Sequence, residues 1–258
     1  MLKKNTLKTS FAAKKPQFGC FLKFCDADSA EMIGMLGYDF CIVDSEHASF
    51  APRDLTNILR ACALADMPCI VRTPGLGAGY ILSVLDSGAA GIQVPNIDTE
   101  EQAREMVACA KYQPLGKRGF APTTRAAGFG LGPKPADYAD LANETVFTVA
   151  HCESKTGAGN LESILTVPGL DAVFVGPMDM SQSFGKVGQL NDPEVKGTIE
   201  SSLKKIAAAG KIPGFLCGPA QVPYYRDMGV LYFILGTDQG FMTSAARNAL
   251  DAARESIA

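Results

Sequence analysis

The chain has 258 residues, 47% of them hydrophobic and 20% charged, and its 24 Lys and Arg against 27 Asp and Glu give a net charge of −3. This composition is typical of a globular protein with one sizeable core. The absence of a basic excess and of interleaved basic and aromatic residues argues against a nucleic-acid partner. No segment approaches the roughly 18 apolar residues that a membrane span requires, so no membrane partner is expected either.

The N-terminal residues 1–16 are basic and lack a continuous apolar stretch, so we predict a surface tail rather than a secretory signal. The eight cysteines lie mostly within apolar segments, and none forms a CxxC pair. A chain of this length does not need disulfides to hold its core. We therefore predict reduced, buried thiols and a cytoplasmic location.

From residue 18 onwards, short apolar runs typical of strands alternate with segments of helical spacing. The predicted strands are 18–24, 39–45, 68–73, 91–96, 145–151, 172–177, 212–218 and 231–237. The predicted helices are 29–37, 52–65, 79–88, 99–112, 159–169, 192–210, 219–229 and 243–258.

Eight strands alternating with eight helices predict an α/β fold, a (β/α)8 TIM barrel in one domain over residues 17–258. A doubly wound open sheet is the alternative, although no GxGxxG follows the first strand to favour its nucleotide-binding form. The long irregular stretch 113–143, rich in Gly, Pro and Arg, is expected to cover a site.

Polar residues follow several predicted strands, and the carboxyl ends of barrel strands form one active face. They are Asp44, Glu46 and His47 within IVDSEH, Arg72 at the end of the third strand, His151 and Glu153 at the end of the fifth, and Asp179 after the sixth. These side chains are therefore predicted to share one polar pocket.

Glu153 and Asp179 follow neighbouring strands, so their carboxylates can converge. Two hard oxygen ligands suit Mg²⁺, Mn²⁺ or Co²⁺, whereas a closed zinc site would need more nitrogen and sulfur ligands than are evident. Spacing alone is a weak signal for a metal, because two carboxylates at a barrel rim are common.

Arg72 and His47 each allow two interpretations. Arg72 either pairs with a nearby carboxylate or presents its planar fork to an anionic oxygen. A lone histidine is more often a satisfied core residue, but the carboxylates beside His47 favour a working base. A Schiff-base mechanism, with Lys23 or Lys155 as the nucleophile, is a less favoured alternative because neither lysine has an evident environment to lower its pKa.

Six blocks of sequence resemble the HpcH/HpaI family of class II, metal-dependent pyruvate aldolases, from about residue 17 to the C-terminus. The blocks are GYDFCIVDSEHASF, VRTPG, VLDSGAAGIQVP, YQPLGKRGF, CES and GLDAVFVGPMDMSQSFG. Several spaced blocks in the right order are much more specific than any single motif.

The resemblance implies a role for each matching residue. Glu153 and Asp179 match the two metal ligands of the family. His47 matches its acid/base, which acts through water, Asp86 matches the aspartate that supports this histidine, and Asp44 belongs to the same motif.

Substrate contacts are implied in the same way. Arg72 matches the arginine that contacts the keto oxygen of pyruvate, and the backbone amides of Met178 and Asp179 match those that hold its carboxylate. The implied reaction is cleavage of a 4-hydroxy-2-oxo acid into pyruvate and an aldehyde through a pyruvate enolate, or the reverse. The family resemblance also implies a homo-oligomer, a hexamer or trimer of dimers, in which a terminal helix packs on a neighbour.

Three positions depart from the family pattern. Ser45 stands where glycine is usual, and Met178 stands where a small residue is usual. His151 replaces a glutamine and should share a face with Glu153, because the two are two residues apart on a strand. It could be a third metal ligand, a second acid/base, a substrate contact or a simple polar replacement.

The sequence is also compatible with other functions. A related lyase or decarboxylase acting on an oxaloacetate-like acid would keep the fold and the metal. A non-catalytic barrel is disfavoured, since a core has no use for Glu153, Asp179, His47 and Arg72 together. A phosphate-binding barrel enzyme is suggested only weakly, by the glycine-containing loop ILGTDQG.

Overall fold

The computed structural model describes residues 6–257, and within them eight parallel strands close into a barrel in chain order, β1 to β8. Each strand pairs with the next, and β8 pairs with β1 to close the ring. The strands are β1 Gln17–Leu22, β2 Phe40–Asp44, β3 Cys69–Arg72, β4 Gly91–Val94, β5 Phe147–Cys152, β6 Ala172–Val175, β7 Ile212–Leu216 and β8 Tyr232–Thr237. The predicted barrel is confirmed.

Helices precede the first strand and follow every strand, and they surround the barrel. They are α1 Thr6–Ala12, α2 Ala27–Met35, α3 Pro52–Leu64, α4 Ala78–Asp86, α5 Glu100–Ala110, α6 Pro135–Thr145, α7 Lys155–Gly159, α8 Leu161–Leu165, α9 Pro177–Ser183, α10 Pro193–Ala208, α11 Val222–Arg226 and α12 Asp238–Glu255. None of these helices is long and apolar enough to cross a membrane.

Alternation along each strand divides its side chains between the barrel interior and the helical layer. In β2, Phe40 and Ile42 pack in the interior cluster, whereas Cys41 and Val43 pack against the helices. Every residue of β2 is buried, because helices cover the outer face of a parallel sheet. Asp44 shares the inward-facing parity of Phe40 and Ile42, which places its carboxylate inside the barrel mouth.

Residues 6–12 differ from the predicted surface tail. They form α1, whose Leu7 and Phe11 are buried in the interior cluster. The ring of Phe11 stacks on Phe147 at 5.6 Å and meets the edge of Tyr232 at 6.0 Å between centroids. The tail was expected because these apolar residues stand among lysines, yet helical spacing puts both on one face. Residues 1–5 of the predicted tail lie outside the described residues.

The stretch 113–143 is also more regular than the sequence suggested. Its last part belongs to α6, in which Tyr138 and Ala142 are buried four residues apart on one face. Lys111 anchors the end of this helix, since its Nζ donates to the carbonyl oxygens of Asn143 at 2.7 Å and Val146 at 2.8 Å. Residues 113–134 remain irregular apart from turns.

All eight cysteines are free thiols, and Cys25 is the exposed one. Cys41, Cys62 and Cys69 pack together between the sheet and α3, with 3.4 Å between the sulfurs of Cys41 and Cys62. The prediction of reduced thiols, most of them in the core, is confirmed.

Helix α12 packs on its own barrel only at its start. Asp238 is the one buried residue of α12, whereas Met242 is 58% and Leu250 50% exposed, and residues 242–257 are all exposed. An outer helix of a closed barrel normally buries an apolar face on the strands. Beyond its first turn, α12 leaves that face uncovered.

Candidate active site

The alternation of β2 continues around the barrel and collects polar side chains inside its carboxyl end. Glu153 follows β5 with the same inward parity as His151. The inward polar residues supplied by the strands and the residues that directly follow them are Asp44, Arg72, Gln93, His151 and Glu153, all of them buried. Buried polar groups on this scale require partners, and the structure provides them.

Asp44 is held by two cations. Arg72 donates from Nε to Oδ1 at 2.8 Å and from Nη2 to Oδ2 at 2.6 Å, and Lys23 Nζ lies 3.3 Å from Oδ2. Burial works to raise the pKa of Asp44, but the Arg72 hydrogen bonds, the backbone N–H of His47 and the charge of Lys23 together hold that pKa below its ordinary value. Asp44 is therefore a fixed anion that orients Arg72.

Arg72 has further contacts on the pocket side. Its Nη1 lies 3.0 Å from Oε2 of Glu46, and its guanidinium lies over the ring of Phe21 at 4.7 Å. Of the five N–H donors of a guanidinium, two are used in hydrogen bonds to Asp44, and at most a third faces Glu46 in an ion pair without hydrogen-bond geometry. Two donors remain for a substrate oxygen. Both predicted interpretations of Arg72 are thus compatible, because carboxylate pairing leaves part of its fork free.

Glu46 lies between the groups of β2 and those of β5. Burial raises its pKa and the charge of Glu153 adds to this, against the opposing effect of Arg72. His47 lies at the mouth, half exposed, with its Nε2 3.9 Å from Oε2 of Glu46. A solvent-accessible imidazole next to carboxylates can exchange protons with a bound substrate and with water.

Glu153 is buried, and each of its oxygens accepts one hydrogen bond. Oε1 accepts from the backbone N–H of Asn96 at 2.8 Å, and Oε2 lies 2.7 Å from Nδ1 of His151. Burial works to raise the pKa of Glu153, but His151, the Asn96 N–H and Arg72 outweigh it and hold the pKa below its ordinary value. A carboxylate has about four lone-pair positions, so each oxygen keeps one for a cation.

Asp179 lies in the first turn of α9, which starts directly after β6. Its side chain is exposed and has no hydrogen bond or ion pair with any residue of the described part of the chain. Glu153 reaches towards this turn, because an ideal Cβ placed on Gly176 would lie 2.6 Å from Oε2 of Glu153. Only glycine leaves room for the carboxylate there. Met178, beside Asp179, is exposed at the same turn.

These residues fit a divalent metal. Glu153 offers a deprotonated carboxylate held in place by two donors, and Asp179 offers one without a protein partner at the end of the neighbouring strand. Hard oxygen ligands with hydrogen-bonded outer partners are what Mg²⁺-like ions use.

His151 is placed differently from the predicted substrate contact. Its ring is buried, with Nδ1 on Glu153 and Nε2 2.7 Å from the side-chain amide nitrogen of Gln93. The face of the ring packs on Phe174, 4.8 Å between centroids. With both nitrogens engaged inside the protein, His151 lies behind the metal ligand, and neither nitrogen is free to bind a metal or a substrate.

Asp86 is not joined to His47 by any contact among residues 6–257. Asp86 is the last residue of α4, and the chain continues from there to the start of β4. Its Oδ1 accepts a hydrogen bond from Nη2 of the buried Arg118 at 2.6 Å. Beside it opens a cavity that Arg60 and Arg125 also line. The family match implies that Asp86 supports His47. Within one chain, however, Asp86 lies at the end of α4 in the outer helical layer.

The alternative sites gain little support. Lys23 is paired with Asp44, and Lys155 is exposed on the surface near Glu194, so neither is a desolvated nucleophile. In the loop after β8, the buried carboxylate of Asp238 accepts the backbone N–H groups of Lys23 and Phe24. The backbone N–H of Gly240, which a phosphate at this loop would need, already donates to the hydroxyl of Thr237.

Sequence reasoning did not single out Gln93, Asn96 and Tyr232. Gln93 bridges His151 and Tyr232, whose hydroxyl donates to Oε1 of Gln93 at 2.9 Å. A glutamine in the apolar run GIQV was the one available signal for Gln93, since an inward polar residue in a core strand needs a partner. Nothing in the sequence pointed to Tyr232 or to the backbone of Asn96.

A barrel with inward carboxylates and a guanidinium at its carboxyl end supplies the groups that metal-assisted enzymes use. The HpcH/HpaI aldolase/citrate lyase family model matches residues 17–244, and the chain belongs to this family. The predicted family and the predicted enzyme class, a carbon–carbon lyase, are confirmed. The family implies a divalent metal cofactor.

Individual relatives agree over nearly the whole length. A hydroxypyruvate/pyruvate aldolase of Agrobacterium fabrum is 36% identical, covering 91% of this chain and 88% of its own. A 2-keto-3-deoxy-L-rhamnonate aldolase of Salmonella typhi is 38% identical, covering 93% and 90%. The crystal structure of a family protein from Burkholderia cenocepacia superposes with a TM-score of 0.91 at 31% identity, covering 97% and 99%.

Proposed function

We propose that this protein cleaves or forms the C3–C4 bond of a 4-hydroxy-2-oxo acid, with pyruvate and an aldehyde as the other side of the reaction. The observation that carries the proposal is the proximity of the buried Glu153 carboxylate and the buried Arg72 guanidinium, which retains two free N–H donors. A cation-binding carboxylate and an anion-stabilising guanidinium are the groups that an enolate-forming reaction requires.

The roles of the residues follow from their positions. Arg72, fixed by Asp44, donates its free N–H groups to the 2-keto oxygen as negative charge develops there. The imidazole of His47, with water, takes the proton from the 4-hydroxyl when the C3–C4 bond breaks. The backbone amides of Met178 and Asp179, in the first turn of α9, are proposed to hold the substrate carboxylate.

Glu153 and Asp179 are proposed to hold the metal, which is Mg²⁺, Mn²⁺ or Co²⁺. When bound, the ion supplies a Lewis acid that polarises the 2-keto oxygen and stabilises its negative charge. The asymmetry of the two ligands supports this assignment: Glu153 is buried and preoriented, whereas Asp179 is exposed and unpartnered, so a cation can enter from the solvent side.

We further propose a homo-oligomer, a hexamer or trimer of dimers, in which α12 packs on a neighbour. The uncovered apolar residues Met242 and Leu250 support this assembly. Asp86 fits the same arrangement. Because it lies on the outer helical layer of its own chain, it would support His47 from a neighbouring copy, with Arg118 holding its carboxylate. The free thiols of the chain are consistent with the proposed cytoplasmic location.

The test is pyruvate release by protein stripped of metal with a chelator. Candidate 4-hydroxy-2-oxo acids and oxaloacetate are supplied with and without Mg²⁺, Mn²⁺ or Co²⁺, and the Glu153→Gln and Asp179→Asn variants serve as matched controls. We expect release from hydroxy-oxo acids that metal restores and that both variants lose. Asp179→Asn should fold normally, since the side chain has no protein partner.

Oxaloacetate is included because a decarboxylase is the second candidate function. A decarboxylase would form the same enolate by loss of carbon dioxide, and the same pocket would serve it. Release from oxaloacetate alone, in protein shown to bind metal, would replace the aldolase assignment by this one. Silence on every substrate in metal-loaded protein would contradict both.

A further inference from the structure

A chain of four side chains runs down the inside of the barrel from the candidate metal ligand to the opposite end. Tyr232 donates its hydroxyl to Oε1 of Gln93 at 2.9 Å, the amide nitrogen of Gln93 lies 2.7 Å from Nε2 of His151, and Nδ1 of His151 lies 2.7 Å from Oε2 of Glu153. All four side chains are at least nine-tenths buried. Water therefore does not replace any of these contacts.

The direction of the hydrogen bonds follows from the inventory of donors. The Tyr232 hydroxyl hydrogen has one acceptor among the described residues, Oε1 of Gln93. That contact turns the amide –NH₂ of Gln93 towards His151, so Nε2 of the imidazole must accept. The remaining proton of a neutral imidazole is then on Nδ1, where it donates to Glu153. The reverse amide orientation leaves the buried hydroxyl hydrogen without an acceptor, at a cost of a lost hydrogen bond.

We propose that Tyr232 and Gln93 are positioning residues, which lock His151 in its Nδ1–H form so that the Glu153 carboxylate is held in its metal-binding orientation. This rests on the proposed function, in which Glu153 binds the metal. If the tautomer were reversed, the Nδ1 lone pair would face the carboxylate oxygen and repel it. The Asn96 N–H would then hold Glu153 at Oε1 alone.

This series of hydrogen bonds gives a structural role to His151, which stands where the family usually has glutamine. One nitrogen of a neutral imidazole donates and the other accepts. The hydrogen bond that Tyr232 donates to Gln93 therefore determines which nitrogen of His151 carries the proton. Tyr232 in turn packs against Phe40, with 4.6 Å between ring centroids. The position of its hydroxyl is therefore set by the aromatic packing at the base of the barrel.

The first arm of the test reads the tautomer in metal-free protein. The chain has two histidines, so ¹⁵N solid-state NMR of histidine-labelled protein, with His47→Asn for assignment, resolves His151. We expect a protonated Nδ1 and a bare Nε2 in the wild type, and a population with protonated Nε2 in Tyr232→Phe. A wild-type Nε2–H form or imidazolium, or a Tyr232→Phe spectrum identical to the wild type, would overturn the proposal.

The second arm measures Mn²⁺ binding by calorimetry. Loss of an outer hydrogen-bond partner commonly costs about 10–100-fold in metal affinity, and we expect a loss in this range for Tyr232→Phe. The matched control is Tyr138→Phe. It also removes a buried hydroxyl, but one without a hydrogen-bond partner among residues 6–257, and it should leave the affinity unchanged. Wild-type affinity in Tyr232→Phe would overturn the proposal.

The two arms separate this proposal from the proposed function. If Glu153→Gln binds Mn²⁺ as well as the wild type does, the metal assignment fails, whatever the tautomer of His151. If Glu153→Gln abolishes binding but Tyr232→Phe changes neither the tautomer nor the affinity, the metal assignment stands and the positioning chain fails.

Discussion

Arg72 pairs with two carboxylates of the site, those of Asp44 and Glu46. It neutralises the buried Asp44 through two parallel hydrogen bonds and also reaches Glu46, and it still keeps donors free. A buried ion pair of this kind contributes less to stability than to geometry, since desolvation offsets much of the attraction. Its value here is that the guanidinium cannot rotate away from the pocket.

Replacing Arg72 by Lys should therefore impair catalysis more than metal binding. An ammonium keeps the charge but cannot hold both oxygens of Asp44 and still reach a substrate. We expect kcat to fall roughly 10²–10³-fold, the usual result of removing a donor to a developing oxyanion. Steady-state kinetics check this, with Mn²⁺ calorimetry as the control. An unchanged kcat would show that Arg72 only pairs with Asp44.

At the residue scale, sequence reasoning located the charged groups but not their connections. Asp44, Arg72 and Glu153 follow apolar strands, so period-two alternation and the shared barrel face were enough to bring them together. Gln93 contacts residues 58 and 139 positions away, and such contacts depend on the closed barrel. The role of Asp86 stays a prediction for a related reason: a motif match does not say on which chain a residue acts.

Helix α1 closes the end of the barrel opposite the site. Its two apolar side chains complete an interior that otherwise opens between the first turns of the strands. Filling the base of a barrel with large side chains makes it a packed core rather than a pore. Residues 6–12 therefore belong to the folding unit.

Truncating Phe11 to Ala should lower the free energy of unfolding by roughly 3–5 kcal/mol, as for other buried phenylalanines. Urea denaturation measures this change. The control is Met35→Ala, which removes an apolar side chain that is largely exposed on α2. If Phe11→Ala were as stable as the control, α1 would not be part of the core.

Lys111 predicts a pH dependence at the junction with α6. Burial, with the nearby charge of Lys8, lowers the pKa of Lys111 to about 8. Between about pH 8 and its unfolded pKa near 10.4, the unfolded chain binds more protons than the folded one, so this residue's contribution to stability rises with pH.

The comparison that isolates this effect is Lys111→Met against the wild type, by urea denaturation from pH 7 to 10.5. The wild type should gain up to about 3 kcal/mol relative to the variant over that range. Substitution of the exposed Lys204 by Met should show no such divergence. Parallel curves for Lys111→Met and the wild type would contradict the lowered pKa.

At the element scale, the eight strands were predictable because each is a short apolar run bounded by Gly, Pro or polar residues. Four helices were missed, α1, α6, α7 and α9, and the causes for α1 and α6 differ. In α1, Leu7 and Phe11 are too few to mark a periodic segment, and in α6 the sequence PADYADLANET is mostly polar and follows a Gly- and Pro-rich stretch. Both helices are fixed by tertiary contacts, which local propensity does not report.

For the whole molecule, the exposed length of α12 predicts that the single chain is not the complete unit. Replacing Leu250 by Glu should place a charge in the proposed subunit contact, where it would be desolvated. Sedimentation velocity should then report smaller species than for the wild type. The control is Leu64→Glu, at an exposed position on α3. Unchanged sedimentation of Leu250→Glu would contradict the proposed role of α12.

Stabilisation of a pyruvate enolate by the site can be tested directly, without knowledge of the aldehyde. Pyruvate is incubated with the protein in D₂O, and the methyl resonance is followed by ¹H NMR. With Mg²⁺, Mn²⁺ or Co²⁺ restored to chelator-treated protein, we predict that the methyl protons exchange for deuterium. Metal-free protein and Glu153→Gln should show only background exchange. Absence of exchange in protein shown to bind both metal and pyruvate would contradict the account.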